Sequence, residues 1–354
     1  MRILIDALAA TEFAGGMTLH AREIILTWEE AFPQDEIFVL TGPSLARYLK
    51  NQSKVKVIEW KNESILQRAP GQILGSYLVA RKVKADFVVS LSPIVSPLIS
   101  SRKSASFQHD WRHLKNPGEF SRINKIYRKL WEISAKTAGI NFCISQKAME
   151  ETISIAPKSY SVVVENGRDH ARRWEDDVQP IIEAPYVITF GHHNNKRPEL
   201  TMEAFSSISK QHDFYQLVIL GARGSYADDL RKLAEELDIA SKVHFPGFVS
   251  DSDYQNLIKN SSVLVMASSD EGFGLPAAEA EYFGIPTVVT EDSGMQTIFD
   301  DLYVAQPEPT SLSLKLEEAI SKTKTIDKSS EVTRQWTWLD AVASIRNFIT
   351  QKAI

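Results

Sequence analysis

The chain has 354 residues, 43% of them apolar, a formal net charge of −5 and a single cysteine. That length suits two domains of ordinary size, and no stretch reaches the roughly 20 uninterrupted apolar residues of a membrane-spanning helix. The lone Cys143 excludes an intrachain disulfide and a cysteine-based metal site, and the acidic balance gives no reason to expect nucleic acid as a partner.

The opening MRILIDALAA is interrupted by Asp6 and reads as a buried strand instead of an export signal, so a cytoplasmic protein is expected. The average charge conceals an asymmetry. Residues 1–178 carry 25 Lys+Arg against 20 Asp+Glu, residues 179–354 carry 15 against 25, and nine basic residues against three acidic ones lie between Ser101 and Thr137.

In chain order, short apolar runs alternate with longer amphipathic ones. RILIDAL is followed by a helix near Met17–Ala31, EIFVLTG by a helix around Leu66–Val83, DFVVSLS and SASFQHD by a basic helix near Glu119–Lys136, and GINFCIS by a helix after Ser145, with YSVVVENG closing the half. This is the rhythm of parallel βα units. Residues 169–185, rich in charge and proline, read as an interdomain linker. The rhythm restarts with YVITFG, FYQLVILG, KVHFPG, SVLVMAS and IPTVVT, each followed by a helical or turn segment. The expectation is an α/β protein with a Rossmann-like domain over residues 1–175, a second over 176–332, and a helix over 333–354 that packs back on the first. Ligands are then expected near the C-terminal ends of the strands, in a cleft between the domains.

Within SVLVMASSDEGFGLPAAEAEYFG a strand ends near Ala267 and Pro276 stands where a helix would begin. Backbone amides of Phe273, Gly274 and Leu275 then lie near the positive end of a helix dipole, with Gly272 and Gly274 allowing close approach, an arrangement suited to a phosphate. Glu279 falls one turn into the helix and leans back toward the same place, while Glu271 approaches from before the turn. Two solvated glutamates beside a glycine turn are the alternative reading.

The spacing of Glu271 and Glu279 resembles the E-x7-E motif of the family 4 retaining glycosyltransferases, which have the GT-B fold. The resemblance implies that Glu271 contacts the donor sugar and Glu279 the ribose of a nucleoside-diphosphate sugar. It extends to GHHNNKRPEL, where Lys196 and Arg197 resemble the basic pair that neutralises the diphosphate, with His192 and His193 standing where the family often has an arginine. It extends also to FAGGMTLHARE, whose Gly15 and Gly16 would bring backbone amides to the phosphates, and to SFQHDWRHL, whose His109 would face the donor sugar or merely cap its strand. Phe248 and Val249, in KVHFPGFVSD, are the candidates for base contact. Departures are Ala267, Ser268 and Ser269 before the first glutamate and Gln296 in place of a glutamate.

What the resemblance implies is a retaining transfer of a hexose-type sugar to a glycan or lipid-linked acceptor in bacterial surface polysaccharide or glycolipid assembly. Glu271, Lys196 and His109 would be its catalytic residues. No cofactor is implied, and no metal: no D-x-D-like sequence is placed to bridge one to the phosphates. A non-catalytic nucleotide-sugar-binding subunit and a sugar-nucleotide epimerase of the same architecture remain open. The basic 101–137 segment, with Arg122, Lys125, Arg128 and Lys129 beside Trp131, reads either as a solvated face or as a peripheral contact with anionic lipid on the inner face of the cell membrane.

Overall fold

A computed structural model describes residues 1–11, 15–175, 179–323 and 336–353. Phe13 and Ala14 of the N-terminal glycine segment, and the expected boundaries at 175/176 and 332/333, touch or lie in residues outside that description. By contacts the chain divides into two compact units, Met1–Gly167 with Trp336–Ile354, and Arg168–Gln335.

The first unit is built on seven parallel strands: β1 (Arg2–Asp6), β2 (Glu36–Thr41), β3 (Lys56–Glu59), β4 (Phe87–Ser90), β5 (Ser104–Gln108), β6 (Ile140–Cys143) and β7 (Ser161–Val163), in the order β3-β2-β1-β4-β5-β6-β7. The central strands are nearly continuous apolar runs because helices cover both faces of a parallel sheet; Ile3, Leu4, Ile5, Val89, Phe107 and Phe142 have no more than 2% exposure. The sequence pattern gives one helix around Leu66–Val83. The structure divides it into Ile65–Pro70, a π turn at Gly71–Gly75 and Ser76–Lys82. Pro70 has no amide hydrogen and crowds the carbonyl one turn back, and a wider turn accommodates it.

The helix Trp338–Ala353 belongs to this first unit and packs on the helix Gly15–Ala31. Its buried residues Trp338, Ala341, Val342, Ile345 and Ile349 fall on one stripe at helical spacing. Arg346 closes the contact through Nε and Nη2, which donate to the Asp35 carboxylate at 2.7 and 3.2 Å. The same carboxylate accepts from the Met1 amine at 3.0 Å and from Trp28 Nε1 at 3.1 Å.

The second unit holds six parallel strands: β8 (Tyr186–Phe190), β9 (Gln216–Leu220), β10 (Val243–Gly247), β11 (Val263–Met266), β12 (Thr287–Thr290) and β13 (Leu302–Ala305), in the order β10-β9-β8-β11-β12-β13. Its core joins Val187, Leu217, Val265 and Val288 of the sheet to Met202 and Phe205 of the helix Pro198–Ile208 and to Leu312 and Leu316 of the helix Pro309–Thr323. The chain lays down β8, β9 and β10 in one direction and then returns to place β11 on the other side of β8. That reversal is where an open α/β sheet leaves a crevice at its C-terminal edge.

Candidate functional site

The loops that follow β8 and β11 flank this reversal, and they carry Lys196 and Glu271. After β8 the chain runs through His192 and His193 into a short 3-10 turn, Asn194–Lys196, and enters the helix Pro198–Ile208. After β11 it runs through Ser268 and Glu271 to the helix Leu275–Tyr282. Asn195 ties the two loops together: its carbonyl accepts from the Ser269 amide at 2.9 Å and its side chain donates to the Asp270 carbonyl at 3.4 Å. The Glu271 amide is fixed in turn on the Ser293 carbonyl at 3.0 Å.

Held in this way, the Lys196 ammonium meets the Glu271 carboxylate in an ion pair. Burial pushes the Glu271 carboxyl up, but the charge and hydrogen bond of Lys196, assisted by Ser268 and His192, outweigh it and hold the group below the usual carboxylate range. The site therefore presents an ionised carboxylate and a cation side by side.

Gly274 stands at the N-terminus of the helix Leu275–Tyr282 with φ +91°. A side chain is excluded there twice over, since the left-handed conformation disfavours one and a Cβ would lie 2.5 Å from Met295 Sδ. The ring of Phe273 is buried against Phe299, with centroids 5.5 Å apart, so that residue offers the site only its backbone. Gly272 and Leu275 are half-buried.

Glu279 lies on the same helix with 2% exposure. One carboxylate oxygen is 2.9 Å from His170 Nε2, and the other accepts from the Tyr254 hydroxyl at 2.5 Å. Burial, and then the Glu279 charge, push the Tyr254 phenol well above its ordinary range, which keeps it protonated and donating. A carboxylate oxygen has two lone pairs, so this pairing leaves room for a further donor. The sequence pattern places Glu279 correctly on its helix but gives no sign of His170 or Tyr254, which lie 109 and 25 residues away.

Arg197, expected at the diphosphate, has its guanidinium engaged within the protein. It takes up φ +47° as the residue before Pro198, and its guanidinium donates to the Ala267 carbonyl at 2.6 Å, Thr290 Oγ1 at 2.9 Å and both oxygens of Asp292 at 2.7 and 2.9 Å. Its planar fork pins the ends of β11 and β12. Phe248 is 60% exposed just beyond the edge strand β10, with the Arg223 guanidinium 5.0 Å from its ring centroid. Val249 beside it is half-buried.

In the first unit, Gly15 and Gly16 open the helix after β1 and are exposed, and a Cβ at Gly15 would meet nothing within 4 Å. His109 follows β5 and is half-buried. Its Nε2 lies 3.2 Å from the Leu91 carbonyl, and its ring meets the edge of His20 at 5.0 Å between centroids. Burial pushes its imidazole below the ordinary histidine range. His20, which sequence reasoning passes over, is 1% exposed and hydrogen-bonded through Nδ1 to Asn166 Oδ1 at 2.8 Å. Burial and the neighbouring His109 push it down to about 3.

Comparisons with known proteins bear on the family and the fold. Residues 173–336 match the family model of the glycosyl transferases group 1. The chain is 25% identical over 251 residues to the O-antigen chain mannosyltransferase RfbU of Salmonella typhimurium, a match spanning 68% of this chain and 64% of that protein. Among solved structures it superimposes on Anabaena HepE in complex with UDP and glucose with a TM-score of 0.75 at 16% identity, covering 99% of this chain and 100% of that one. It also superimposes on WaaG, a glycosyltransferase involved in lipopolysaccharide biosynthesis, with a TM-score of 0.71 at 15% identity and the same coverage. Through residues 173–336 the chain is similar to the group 1 glycosyl transferases, and its architecture is GT-B.

Proposed function

We propose that the protein is a retaining hexosyltransferase that takes a sugar such as mannose, rhamnose or glucose from a nucleoside-diphosphate donor. The acceptor in this reading is a glycan or lipid-linked molecule of bacterial surface polysaccharide or glycolipid assembly, met at the inner face of the cell membrane. The observation that carries the proposal is the Lys196–Glu271 ion pair at the strand reversal, beside the glycine-led start of the helix that also carries Glu279.

As the glycosidic bond lengthens, negative charge accumulates on the leaving diphosphate. Lys196 and the N-terminus of the helix Leu275–Tyr282 are fixed in place before the reaction, so their field acts on that charge without reorganising. This accounts for charge stabilisation by the protein's own groups, without a metal. Glu271 keeps its negative charge and positions the hydroxyls of the donor sugar, while Glu279 accepts from the ribose. Phe248 offers a face on which the base stacks, with Val249 beside it. Arg197 shapes the site by holding Ala267 and Asp292. RfbU, a mannosyltransferase, and HepE, bound to UDP and glucose, support a nucleotide-sugar donor of this class.

Incubation with UDP-, GDP- and dTDP-sugars tests the reading. Nucleoside diphosphate release that depends on an added acceptor, with the anomeric configuration retained in the product, is the expected result. Donor interconversion without acceptor would identify an epimerase, and binding without turnover a non-catalytic subunit.

A further inference from the structure

The helix Arg122–Thr137 carries five basic residues and one acidic residue. At about 100° per residue, Arg122, Lys125, Lys129 and Lys136 fall within one arc of roughly 60°, and Ile133, Ile126 and Ile123 continue around the adjoining arc of roughly 80°. The structure turns both arcs outward: Ile123 is 60% exposed, Ile126 73% and Ile133 47%, and the four basic residues are exposed beside them. Two residues that the sequence offered for this face point the other way. Trp131 is buried, and the Arg128 guanidinium lies over the rings of Phe120 and Trp131 at 4.4 and 4.1 Å.

The neighbouring helix Ile65–Pro70 is fastened to the first through Arg68, whose Nε donates to the Tyr127 hydroxyl at 3.2 Å. A merely solvated face would gain nothing from three isoleucines, which are costlier in an exposed helix than alanine, glutamate or lysine.

We propose that this face is a lipid-docking surface that inserts Ile123, Ile126 and Ile133 at the headgroup boundary of an anionic membrane, with Arg122, Lys125 and Lys129 on the headgroups. An apolar arc flanked by a basic arc is the pattern of a helix lying in the plane of the interface. Among the described residues no helix is long and apolar enough to cross a membrane, so the contact made by this face is peripheral. The inference rests on the lipid-linked acceptor reading and deepens it, replacing a general electrostatic attraction of residues 101–137 with named inserting side chains.

The test is co-sedimentation of the full chain with phosphatidylcholine vesicles, with and without phosphatidylglycerol, at low and physiological salt. The expected result is binding that requires the anionic lipid, falls about fivefold for each of Lys125→Gln and Lys129→Gln, and falls about tenfold or more in Ile123→Ser/Ile126→Ser at unchanged charge. Absence of anionic preference, or binding by the isoleucine variant equal to that of the parent, overturns the proposal. Loss of binding by the lysine variants alone identifies a merely electrostatic contact, as with an acidic protein surface, and also overturns it. Melting with and without donor nucleotide, measured on the same samples, shows that each variant folds. It also separates a failure of docking from a failure of the transferase reading.

Discussion

Lys196 and Glu271 lie 75 residues apart in the chain, yet they form an ion pair in which each side chain is only 13% exposed. Two largely desolvated charges of opposite sign at a strand reversal are costly unless each serves the other, and removing one strands its partner.

Lys196→Ala is therefore expected to lower acceptor-dependent kcat by about 100-fold or more, the loss typical of a preorganised charge. Glu271→Gln is expected to lower it as well while preserving shape. The Glu271 carboxyl sits below its ordinary range in the folded protein, so the stability it contributes is present above the unfolded value and lost as pH falls through the folded one. Urea titrations at descending acidic pH should show that loss in the parent and not in Glu271→Gln.

Tyr254 donates to a carboxylate with 2% exposure. Tyr254→Phe leaves Glu279 with His170 alone and is expected to cost about 1–3 kcal/mol in unfolding free energy. If Glu279 also holds the ribose, the affinity for nucleoside diphosphate changes in the same variant, read by isothermal titration calorimetry. An unchanged affinity would assign Glu279 a structural role only.

Asp6 and His113 act in opposite directions on the pH dependence of stability. Burial raises the Asp6 carboxyl to about 7, although the Leu8 amide and Ser76 counteract it. The folded protein thus holds a proton that the unfolded chain releases near 4, and stability falls as pH rises from about 4 to 7. Asp6→Asn is expected to gain about 1–3 kcal/mol near pH 8 and nothing near pH 4.

His113 is 5% exposed among the rings of Trp111, Phe120 and Trp131. Burial, then the Arg128 charge, push its imidazole down to about 4. Its contribution is full above about pH 6.5 and lost as pH falls toward 4, because only the unfolded chain takes up the proton in that window. His113→Phe should flatten that part of the stability profile, as followed by thermal melting across the range.

Asp35 has no side-chain exposure and answers the N-terminal amine, Trp28 and Arg346 together. Asp35→Asn is expected to destabilise the first unit by about 2–3 kcal/mol, since the bonds lost are charge-assisted. Arg346→Ala should cost less, because that side chain is 26% exposed. Hydrogen exchange in the helix Trp338–Ala353 should quicken in both.

The alternation of apolar runs made the two parallel sheets legible, because a strand buried on both faces reads as a short unbroken apolar segment and its crossover helix as a longer periodic one. That Lys196 and Glu271 belong to one region was an expectation of the family resemblance, and their ion pair with one another was not legible. The destinations of Arg197, Arg128 and Trp131 were not legible either, for each is an amphipathic side chain that can turn to solvent or to the protein with no local signal to decide. Arg197 turns to Asp292, 95 residues away. His170 and Tyr254 escaped for the same reason, since nothing local to either announces Glu279. The π turn was hidden because Pro70 marks a place where a helix must yield without specifying how.

The clamp on Asp35 also bears on the order of events during synthesis. Trp28, Asp35 and the strands of the first sheet leave the ribosome early, yet Arg346, which completes the clamp on Asp35, follows only after the whole second unit. Domains ordinarily fold as they emerge, N-terminal first. Here the first unit takes a partner for Asp35 from a helix that follows the second unit in the chain, so that contact can form only once both have been made.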